Sequence, residues 1–275
     1  MSRWWSPKRK VPAKDGSLVP ALPGAQSVET VVGQMWLPAT DSVIRPILEQ
    51  TGVWETAETA YMRSVLRPGM TVVDVGAHCG YFTLLASTLV GRNGRVIAFE
   101  PSPASFELLV ANVWRNGARN VTALPWAVGQ DDGHADLYLA EGNTGDHRLV
   151  KAEDQRDSVS VRCVALDTLI GLIGSVDFLK VDTQGYEGAV LGGSRQLLAE
   201  SADPILTIEF WPFGLLRAGE DPRGFIRRVQ DSGFHLEELD PSGDGPATLN
   251  VDDVLARCEA GGDHGHTNLI LTRTG

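Results

Sequence analysis

The chain has 275 residues, 43% of them hydrophobic, and carries a formal net charge of −11 at pH 7. This composition is sufficient for one substantial core, and the acidic charge disfavours nucleic acid or another anionic polymer as a partner. No apolar run approaches the roughly 20 residues of a membrane-spanning helix, and the basic start lacks the apolar stretch of a secretory signal. The three cysteines are widely spaced and odd in number, so we expect a cytoplasmic protein. The acidic charge leaves small neutral or cationic molecules as substrates.

The first 50 residues are predicted to be an extension. Residues 1–26 are rich in proline, glycine and charge, which is typical of a surface tail. Trp4 and Trp5 in this tail contact either the protein itself or a partner, and the sequence does not decide between them.

Two elements are predicted between this tail and the main domain. An apolar, β-prone run over residues 27–37 predicts one short strand, and apolar residues at helical spacing predict one helix over 41–66. Pro68 and Gly69 end that helix. We assign residues 51–275 to the main domain.

Strands and helices alternate along the main domain. Helices are predicted over residues 80–89, 103–114, 187–199 and 222–231. Strands are predicted over residues 72–75, 96–100, 121–124, 135–140, 158–164, 176–181, 205–210, 234–239 and 268–272. The alternation predicts a doubly wound α/β fold with a mainly parallel, seven-stranded sheet. The strands at 135–140 and 158–164 follow each other without a helix, which indicates an inserted β-hairpin and loop. The last strand is reached without a clear long helix and is predicted to be antiparallel.

A glycine loop follows the first strand of this domain. The segment Thr71–Gly80 reads as a strand carrying Asp74 and then the loop Gly76-x-x-x-Gly80. The next strand ends in Glu100, which can accept hydrogen bonds from ribose hydroxyls. Because the Gly-x-Gly turn of a dinucleotide site is missing, the pattern favours a nucleoside without a pyrophosphate. S-adenosylmethionine is the commonest such cofactor.

Four strands carry an acid at their carboxyl ends, where open α/β sheets bind ligands: Asp74, Glu100, Asp182 and Glu209. Asp74 is expected to brace the glycine loop and to contact the amino-acid end of the cofactor. Asp182 and Glu209 are expected where the substrate or a cation lies. Two oxygen ligands alone make a weak Mg²⁺ site, so a metal is considered and not favoured.

Several segments together resemble the FkbM family of S-adenosylmethionine-dependent methyltransferases, which have a Rossmann-like fold. The segments are Pro68–Thr83, Ala98–Pro101, Leu166–Leu169, Lys180–Glu187 and Ile208–Phe210. The resemblance implies methylation of hydroxyl groups on polyketides, sugars or other products of secondary metabolism, mostly in bacteria. His78–Cys79 departs from the family, which often has asparagine and an aliphatic residue there.

The resemblance also implies which residues touch the cofactor, with Asp182 at the methyl-transfer end. By analogy with related enzymes, Trp126, Ala127 and Val128 should flank the adenine. The predicted cofactor contacts are Asp74, Gly76, Ala77, Gly80, Glu100, Pro101, Ala127 and Asp182.

An alcohol acceptor must lose its proton, so a base is expected. The predicted base is His147, in the turn-rich loop 142–148, although an exposed hairpin turn explains this histidine equally well. His78 is the second candidate. His264 and His266 are assigned to a flexible loop.

The predicted substrate pocket is apolar, with walls formed by Trp54, Tyr186 and the segment Trp211–Phe213. Aromatic residues more often pack cores, so each assignment has a structural alternative.

The leading functional hypothesis is a small-molecule O-methyltransferase in which His147 and Asp182 act at the reacting end. The alternatives are N-methylation of an amine or guanidinium compound, Mg²⁺-assisted O-methylation, a nucleotide-dependent oxidoreductase and a non-catalytic cofactor-binding protein. The oligomeric state stays open, with a homodimer among the alternatives.

Overall fold

The computed structural model describes residues 10–12, 18–20, 22–140, 142–151, 156–239 and 245–273. The strands are β1 (Lys10–Pro12), β2 (Leu18–Pro20), β3 (Ala25–Thr30), β4 (Gly33–Pro38), β5 (Thr71–Val75), β6 (Arg95–Phe99), β7 (Val121–Leu124), β8 (Ala127–Val128), β9 (Gly133–Tyr138), β10 (Ser158–Val164), β11 (Phe178–Val181), β12 (Ile205–Phe210), β13 (Phe234–Leu239), β14 (Pro246–Thr248) and β15 (Thr267–Arg273). The helices are α1 (Ile44–Thr51), α2 (Thr56–Val65), α3 (Tyr81–Val90), α4 (Pro103–Arg115), α5 (Ile170–Ile173), α6 (Glu187–Gly192), α7 (Arg195–Glu200), α8 (Pro212–Arg217), α9 (Pro222–Asp231) and α10 (Val251–Ala260).

The central sheet has the strand order β14-β13-β15-β12-β11-β5-β6-β7. Strands β12, β11, β5, β6 and β7 run parallel, whereas β15 is antiparallel to both β12 and β13. The predicted α/β fold and its antiparallel last strand are therefore confirmed. The short edge strand β14 is an eighth strand that the sequence did not predict.

Apolar side chains cover both faces of this sheet because neighbouring residues of a strand point to opposite sides. Every residue of β5 is buried. Val72 belongs to the core cluster on one face, and Val73 belongs to the cluster on the other. The carboxyl ends of the parallel strands are thus held in place from both sides.

The N-terminal region forms a hairpin where one strand was predicted. Strands β3 and β4 pair antiparallel around a two-residue turn, and β4 packs against α4. The Asn112 side chain secures that contact, accepting a hydrogen bond from the Trp36 N–H at 2.6 Å and donating one to the Trp36 carbonyl at 2.9 Å. Because residues of β4 and α1 also join one core cluster, this region is packed onto the domain. The boundary at residue 50 stays a prediction.

The single helix predicted over 41–66 is wrong. Helices α1 and α2 are separated by a break in which Gly52 and Glu55 adopt left-handed backbone conformations, with φ of 71° and 43°. A left-handed residue interrupts the i→i−4 hydrogen-bond ladder, so the chain turns there.

The inserted hairpin is confirmed. Strands β9 and β10 pair antiparallel, and β8 adds to β10 in parallel. The predictions for Trp4 and Trp5 lie outside the described residues. Within the predicted tail, β1 and β2 pair antiparallel.

Further differences concern helices, including the short α5 and α8, which were not predicted. The helix predicted over 187–199 is divided into α6 and α7 at Gly193, where a Cβ atom would lie 2.1 Å from the carbonyl oxygen of Gly129. Helix α10, which precedes β15, was not predicted. No helix in the described ranges is long and apolar enough to cross a membrane.

Candidate active site

A cavity of about 310 Å³ lies at the carboxyl ends of the parallel strands, which is the size range of small-ligand sites. Its floor comes from the residues after β5, β6, β11 and β12, and its roof comes from the N-terminal region and two loops. The residues that line the cavity include Trp54, Glu55, Gly76, Ala77, His78, Glu100, Pro101, Trp126, Ala127, Val128, Thr144, Asp146, His147, Arg148, Lys180, Asp182, Gln184, Glu209, Trp211, Asp263, His264 and His266.

The glycine loop packs directly on the next strand of the sheet. Gly76 has a φ of 84°, and a Cβ atom there would lie 1.8 Å from the carbonyl oxygen of Asp182. Only glycine fits, so the predicted requirement at this position has a steric cause. Gly80 caps α3 with a φ of 90° and does not line the cavity.

Asp74 braces the helix that follows the loop. Its Oδ2 accepts a hydrogen bond of 2.6 Å from the hydroxyl of Thr83 in α3. Its Oδ1 is buried and has no hydrogen-bond partner among the described residues, and burial raises the pKa of this carboxyl. Asp74 lies behind the residues that line the cavity, so its predicted contact with the cofactor stays a prediction.

Glu100 is held rigidly at the end of β6. One carboxylate oxygen accepts from the His78 N–H and the other from the Ser102 N–H, each at 2.8 Å. Burial raises the pKa of Glu100 to about 7 although both N–H groups oppose the shift. Each oxygen keeps the capacity to accept one more hydrogen bond, which suits a pair of neighbouring hydroxyls.

The segment predicted to flank the adenine lines the cavity beside Glu100. Ala127 and Val128 are buried in β8, where they pair with Cys163 and Val164 of β10. The Arg162 guanidinium stacks over the Trp126 ring, 4.4 Å from the ring centroid. The inserted hairpin therefore supports this wall, together with Ala77 and Pro101.

A buried lysine lies at the centre of the acids. The Nζ of Lys180 lies 3.0 Å from Asp182 Oδ2 and 3.8 Å from Glu58 Oε2, with only 3% of the lysine side chain exposed. Lys180 also pairs in register with Asp74 on β5. Burial alone would lower the pKa of Lys180, but the charges of Asp182, Glu58 and Asp74 raise it.

This cluster determines the charge of Asp182. Although burial opposes ionisation, the Lys180 ammonium holds the pKa of Asp182 below its ordinary value. Burial raises the pKa of Glu58 to about 7 against the influence of the same lysine. Glu58 was not identified from the sequence. Its position in the first turn of α2 gave no signal that distinguishes it from an exposed glutamate.

The loop after β11 is shaped by a fully buried glutamate. Glu187 accepts hydrogen bonds from the N–H and hydroxyl of Thr183 and from the N–H of Gly185, at 2.9–3.1 Å. The side chain of Gln184, which has a φ of 56°, then donates to Asp182 at 3.0 Å and to Glu209 at 2.8 Å. Gln184 thus joins the two predicted strand-end acids.

Glu209 carries the most strongly perturbed carboxyl of this end of the cavity. Burial and the negative charges of Asp182, Glu187 and Glu55 raise its pKa well above the ordinary value. Glu55 reaches the same region from the turn before α2 and accepts a hydrogen bond of 2.8 Å from the Asn268 amide. The amide of Gln184 donates to both carboxylates considered as Mg²⁺ ligands. That a metal is not favoured here stays a prediction.

Asp41, which is 1% exposed, holds the roof in place through hydrogen bonds. Its Oδ1 accepts hydrogen bonds from the N–H groups of residues 43–45 at the start of α1. Its Oδ2 accepts the hydroxyl of Thr144 at 2.8 Å, and the Thr144 oxygen lies 2.9 Å from His78 Nε2. One carboxylate therefore connects α1, the 142–148 loop and the glycine loop.

Replacing Asp41 by alanine is expected to lower the free energy of unfolding by about 2 kcal/mol, because a helix cap and the loop contact are lost together. Denaturant titration measures the loss. Glu49→Ala in the same helix is the matched control: its partner Arg45 lies at i,i+4 spacing and 2.8 Å, and such exposed pairs contribute less than about 0.5 kcal/mol. Equal losses in both variants would contradict the fastening role of Asp41.

His147 lines the cavity, and its ring is oriented by the backbone. Its Nδ1 accepts a hydrogen bond of 2.9 Å from the Ala140 N–H, and burial lowers its pKa. The loop around it is tied down by Asp146, which pairs with Arg148 at 2.5 Å and with Arg156 at 2.8 Å. The loop connects the hairpin strands β9 and β10, as the alternative had it, but it is partly buried rather than exposed. The role of base stays a prediction.

The aromatic walls are confirmed in part. Trp54 and Trp211 line the cavity, and the Arg148 guanidinium covers the Trp211 ring at 4.6 Å. Phe213 packs outside the cavity against Trp211 and Arg217. Tyr186 lines a groove elsewhere on the protein, because the loop after β11 turns it away from the carboxyl ends.

Comparison with known proteins identifies the class to which this site belongs. A family model described as the methyltransferase FkbM domain matches residues 74–238. The 31-O-demethyl-FK506 methyltransferase FkbM of Streptomyces tacrolimicus is 31% identical over 176 residues, which is 50% of this chain and 67% of that protein. Methyltransferase 1 of Beauveria bassiana is 28% identical over 144 residues, 44% of this chain and 57% of that protein.

Among solved structures, the FkbM methyltransferase of Methylobacillus flagellatus KT aligns with a TM-score of 0.46 and 16% identity. The alignment covers 78% of this chain and 51% of that one. The assignment rests on the family model and on the sequence relative from Streptomyces rather than on this likeness. The chain belongs to the FkbM family of S-adenosylmethionine-dependent methyltransferases.

Proposed function

We propose that this chain transfers the methyl group of S-adenosylmethionine to a hydroxyl oxygen of a small metabolite such as a polyketide or a sugar. The observation that carries the proposal is one cavity with two chemically different ends. Glu100 lies at the end of β6, and Glu209 lies at the end of β12, three strands away in the sheet. At a strand spacing of nearly 5 Å, the two ends are about 14 Å apart, which leaves room for a nucleoside and an acceptor side by side.

The residues present fit S-adenosylmethionine. Glu100, with one backbone donor on each oxygen, is suited to the two ribose hydroxyls, while Trp126, Ala127 and Val128 are suited to the adenine. Asp182 faces the cavity with 30% of its side chain exposed and is suited to the cationic end of the cofactor. When bound, S-adenosylmethionine supplies an electrophilic methyl group on a positively charged sulfur.

The protein contributes charge and position to the reaction. Lys180 and Gln184 hold Asp182 ionised and fixed, and this carboxylate attracts a sulfonium without by itself accelerating transfer, because the positive charge disperses in the transition state. The rate then depends on how Trp54 and Trp211 align the acceptor. A hydroxyl acceptor also requires a group that takes its proton.

The name of the Streptomyces relative gives 31-O-demethyl-FK506 as its substrate, which supports an oxygen acceptor for this chain. The second candidate is methylation of an amine or guanidinium group. The ionised carboxylate of Asp182 at the acceptor end favours it because a negative charge suits a cationic substrate.

The test combines binding and transfer. Calorimetry with S-adenosylmethionine, S-adenosylhomocysteine and NAD should give micromolar binding of the two sulfur nucleosides and none of NAD. Transfer is then followed with isotopically labelled methyl groups against hydroxylated macrolides, sugars, amines and guanidines, with EDTA in parallel. An O-linked methyl group in the product supports the proposal. An N-linked product or NAD binding contradicts it.

The pH dependence of binding is a further prediction. If Glu100 accepts ribose hydroxyls, the complex favours its ionised form and lowers its pKa from the value of about 7 in the free protein. The complex then binds fewer protons, so the affinity for S-adenosylhomocysteine should rise by about tenfold between pH 6 and pH 8. Calorimetric titration at several pH values measures this rise. A flat profile in Glu100→Gln assigns the proton to this residue, whereas an unchanged rise assigns it elsewhere.

A further inference from the structure

Four histidines line the cavity: His78, His147, His264 and His266. A neutral imidazole has a proton on one ring nitrogen and a lone pair on the other, and only the nitrogen with the lone pair can take a proton from a substrate. The hydrogen bond made by one nitrogen determines what the other offers. The neighbours of each ring therefore identify which histidine is prepared to act as a base.

His147 presents the wrong nitrogen. A backbone N–H can only donate, so the bond from Ala140 requires a lone pair on His147 Nδ1. The neutral ring then carries its proton on Nε2, which leaves a donor rather than an acceptor for the substrate.

His78 already uses its Nε2 in a hydrogen bond to the roof of the cavity. The hydroxyl of Thr144 donates its proton to Asp41, so the Thr144 oxygen accepts from His78 Nε2–H. Burial lowers the pKa of His78 to about 4, which makes its remaining nitrogen a weak base.

His264 lies at the rim of the cavity, with 88% of its side chain exposed and Asp263 Oδ1 3.6 Å from its Nε2. The backbone carbonyl of His264 has a different role, because it orients the ring of His266.

His266 presents the opposite arrangement to His147. Its Nδ1 lies 2.9 Å from the carbonyl oxygen of His264, and a carbonyl can only accept, so Nδ1 carries the proton. Nε2 is left with the lone pair. The residue directly precedes β15, where Thr267 pairs with Phe210 at the end of β12. His266 therefore lies at the same end of the same strand pair as Glu209.

Asp182 is the ionised acid on this side of the cavity. Although burial opposes ionisation, the Lys180 ammonium and the Gln184 amide lower its pKa, and His266 contributes in the same direction. Glu209 holds its proton more tightly than an ordinary glutamate.

We propose that His266 is the catalytic base of the transfer and that the His264 carbonyl is its positioning group. This inference rests on the proposed O-methylation. His266 Nε2 takes the hydroxyl proton as the acceptor oxygen forms its bond to the methyl carbon. The electron pair of the breaking carbon–sulfur bond stays on sulfur, which becomes a neutral thioether, and the imidazolium later releases its proton to solvent.

The first test determines which ring nitrogen of each histidine carries the proton. Nitrogen-15 NMR of the full chain labelled at histidine, with and without S-adenosylhomocysteine, should show protonated Nδ1 and free Nε2 for His266 and the reverse for His147. Spectra of His266→Gln and His147→Gln assign the signals. A proton on Nε2 of neutral His266 overturns the proposal, whatever the acceptor of the enzyme is.

The second test uses an acceptor identified by the labelled-methyl screen. His266→Ala should lower kcat by roughly 100-fold or more, leave the affinity for S-adenosylhomocysteine within about twofold of wild type, and recover activity with added imidazole. His147→Gln should lower kcat less than His266→Ala does. His235→Gln, at an exposed position on β13, should leave kcat unchanged.

Full activity of His266→Ala, or loss without imidazole rescue, overturns the role of base. Exclusive transfer to nitrogen in the screen contradicts the proposed function instead, and the NMR result still reports the state of His266. Failure of the inference and failure of the function are thus distinguishable.

Discussion

Replacing Glu100 by glutamine is expected to weaken the binding of S-adenosylhomocysteine by about 100-fold, with little effect on folding. The two oxygens of Glu100 are each fixed by one backbone N–H. A glutamine keeps the shape but turns an NH₂ group toward one of those donors, and it removes the charge that strengthens hydrogen bonds to ribose hydroxyls. Hydrogen bonds to a charged group contribute about 1.5–3 kcal/mol each, and about 3 kcal/mol corresponds to a 100-fold change in affinity.

Two measurements separate this effect from a general loss of structure. The free energy of unfolding of Glu100→Gln should stay within about 1 kcal/mol of wild type near pH 8, because the substitution also removes a buried charge. Glu107→Gln, at an exposed position of α4, is the matched control and should bind normally. Wild-type affinity in Glu100→Gln would show that the acid does not contact the ligand.

Replacing Lys180 by methionine is expected to lower the free energy of unfolding by about 3–5 kcal/mol at pH 8. Methionine has a similar length and packs as well against Phe82, whose ring centroid lies 4.7 Å from the lysine Nζ. The loss comes from charge: the buried Glu58 and Asp74 and the partly exposed Asp182 are left without the cation that balances them. Removing one partner of a buried ion pair usually costs this much.

The pH dependence of the loss identifies its cause. Without Lys180, the pKa values of Glu58 and Asp74 rise further above those in the unfolded chain, and the pKa of Asp182 rises from its lowered value. The folded variant then binds more protons than the unfolded chain, so its stability increases as the pH falls. The difference from wild type should therefore be smaller at pH 5.5 than at pH 8, as measured by urea titration. Lys151→Met, at an exposed position, should show no difference at either pH, and a pH-independent loss in Lys180→Met would indicate a packing defect instead.

The sheet could be predicted because the apolar residues of a strand directly indicate that the strand is buried. An apolar run such as Val72–Val75 has few alternatives to a central strand, and β7, β10, β12 and β13 begin and end where they were predicted. The helix breaks could not be predicted in this way. At the break, Gly193 packs against the carbonyl of Gly129 so closely that a side chain would clash. Gly129 is distant in sequence, so local periodicity carries no sign of this contact.

A site residue could be predicted where its type and its place at the end of a strand are enough to indicate its role. Glu100 and Asp182 end buried strands, and both line the cavity. Glu58 was missed because its burial depends on Lys180, a contact between an N-terminal helix and a central strand. The roles of His147 and His266 were also beyond the sequence. They differ in the backbone group that each Nδ1 meets, and composition and spacing do not encode that.

The roof has a consequence for how this enzyme can diversify. Trp54, Glu55, His264 and His266 reach the acceptor end from either side of the segment 74–238 that defines the family. The groups suited to the nucleoside, such as Glu100 and Trp126, lie inside that segment. We therefore expect the two flanks to contribute to acceptor choice, together with Glu209 and Trp211 inside the family segment, and to have little part in donor recognition. Grafting the flanking stretches from a relative onto this core should change acceptor choice while leaving donor affinity intact.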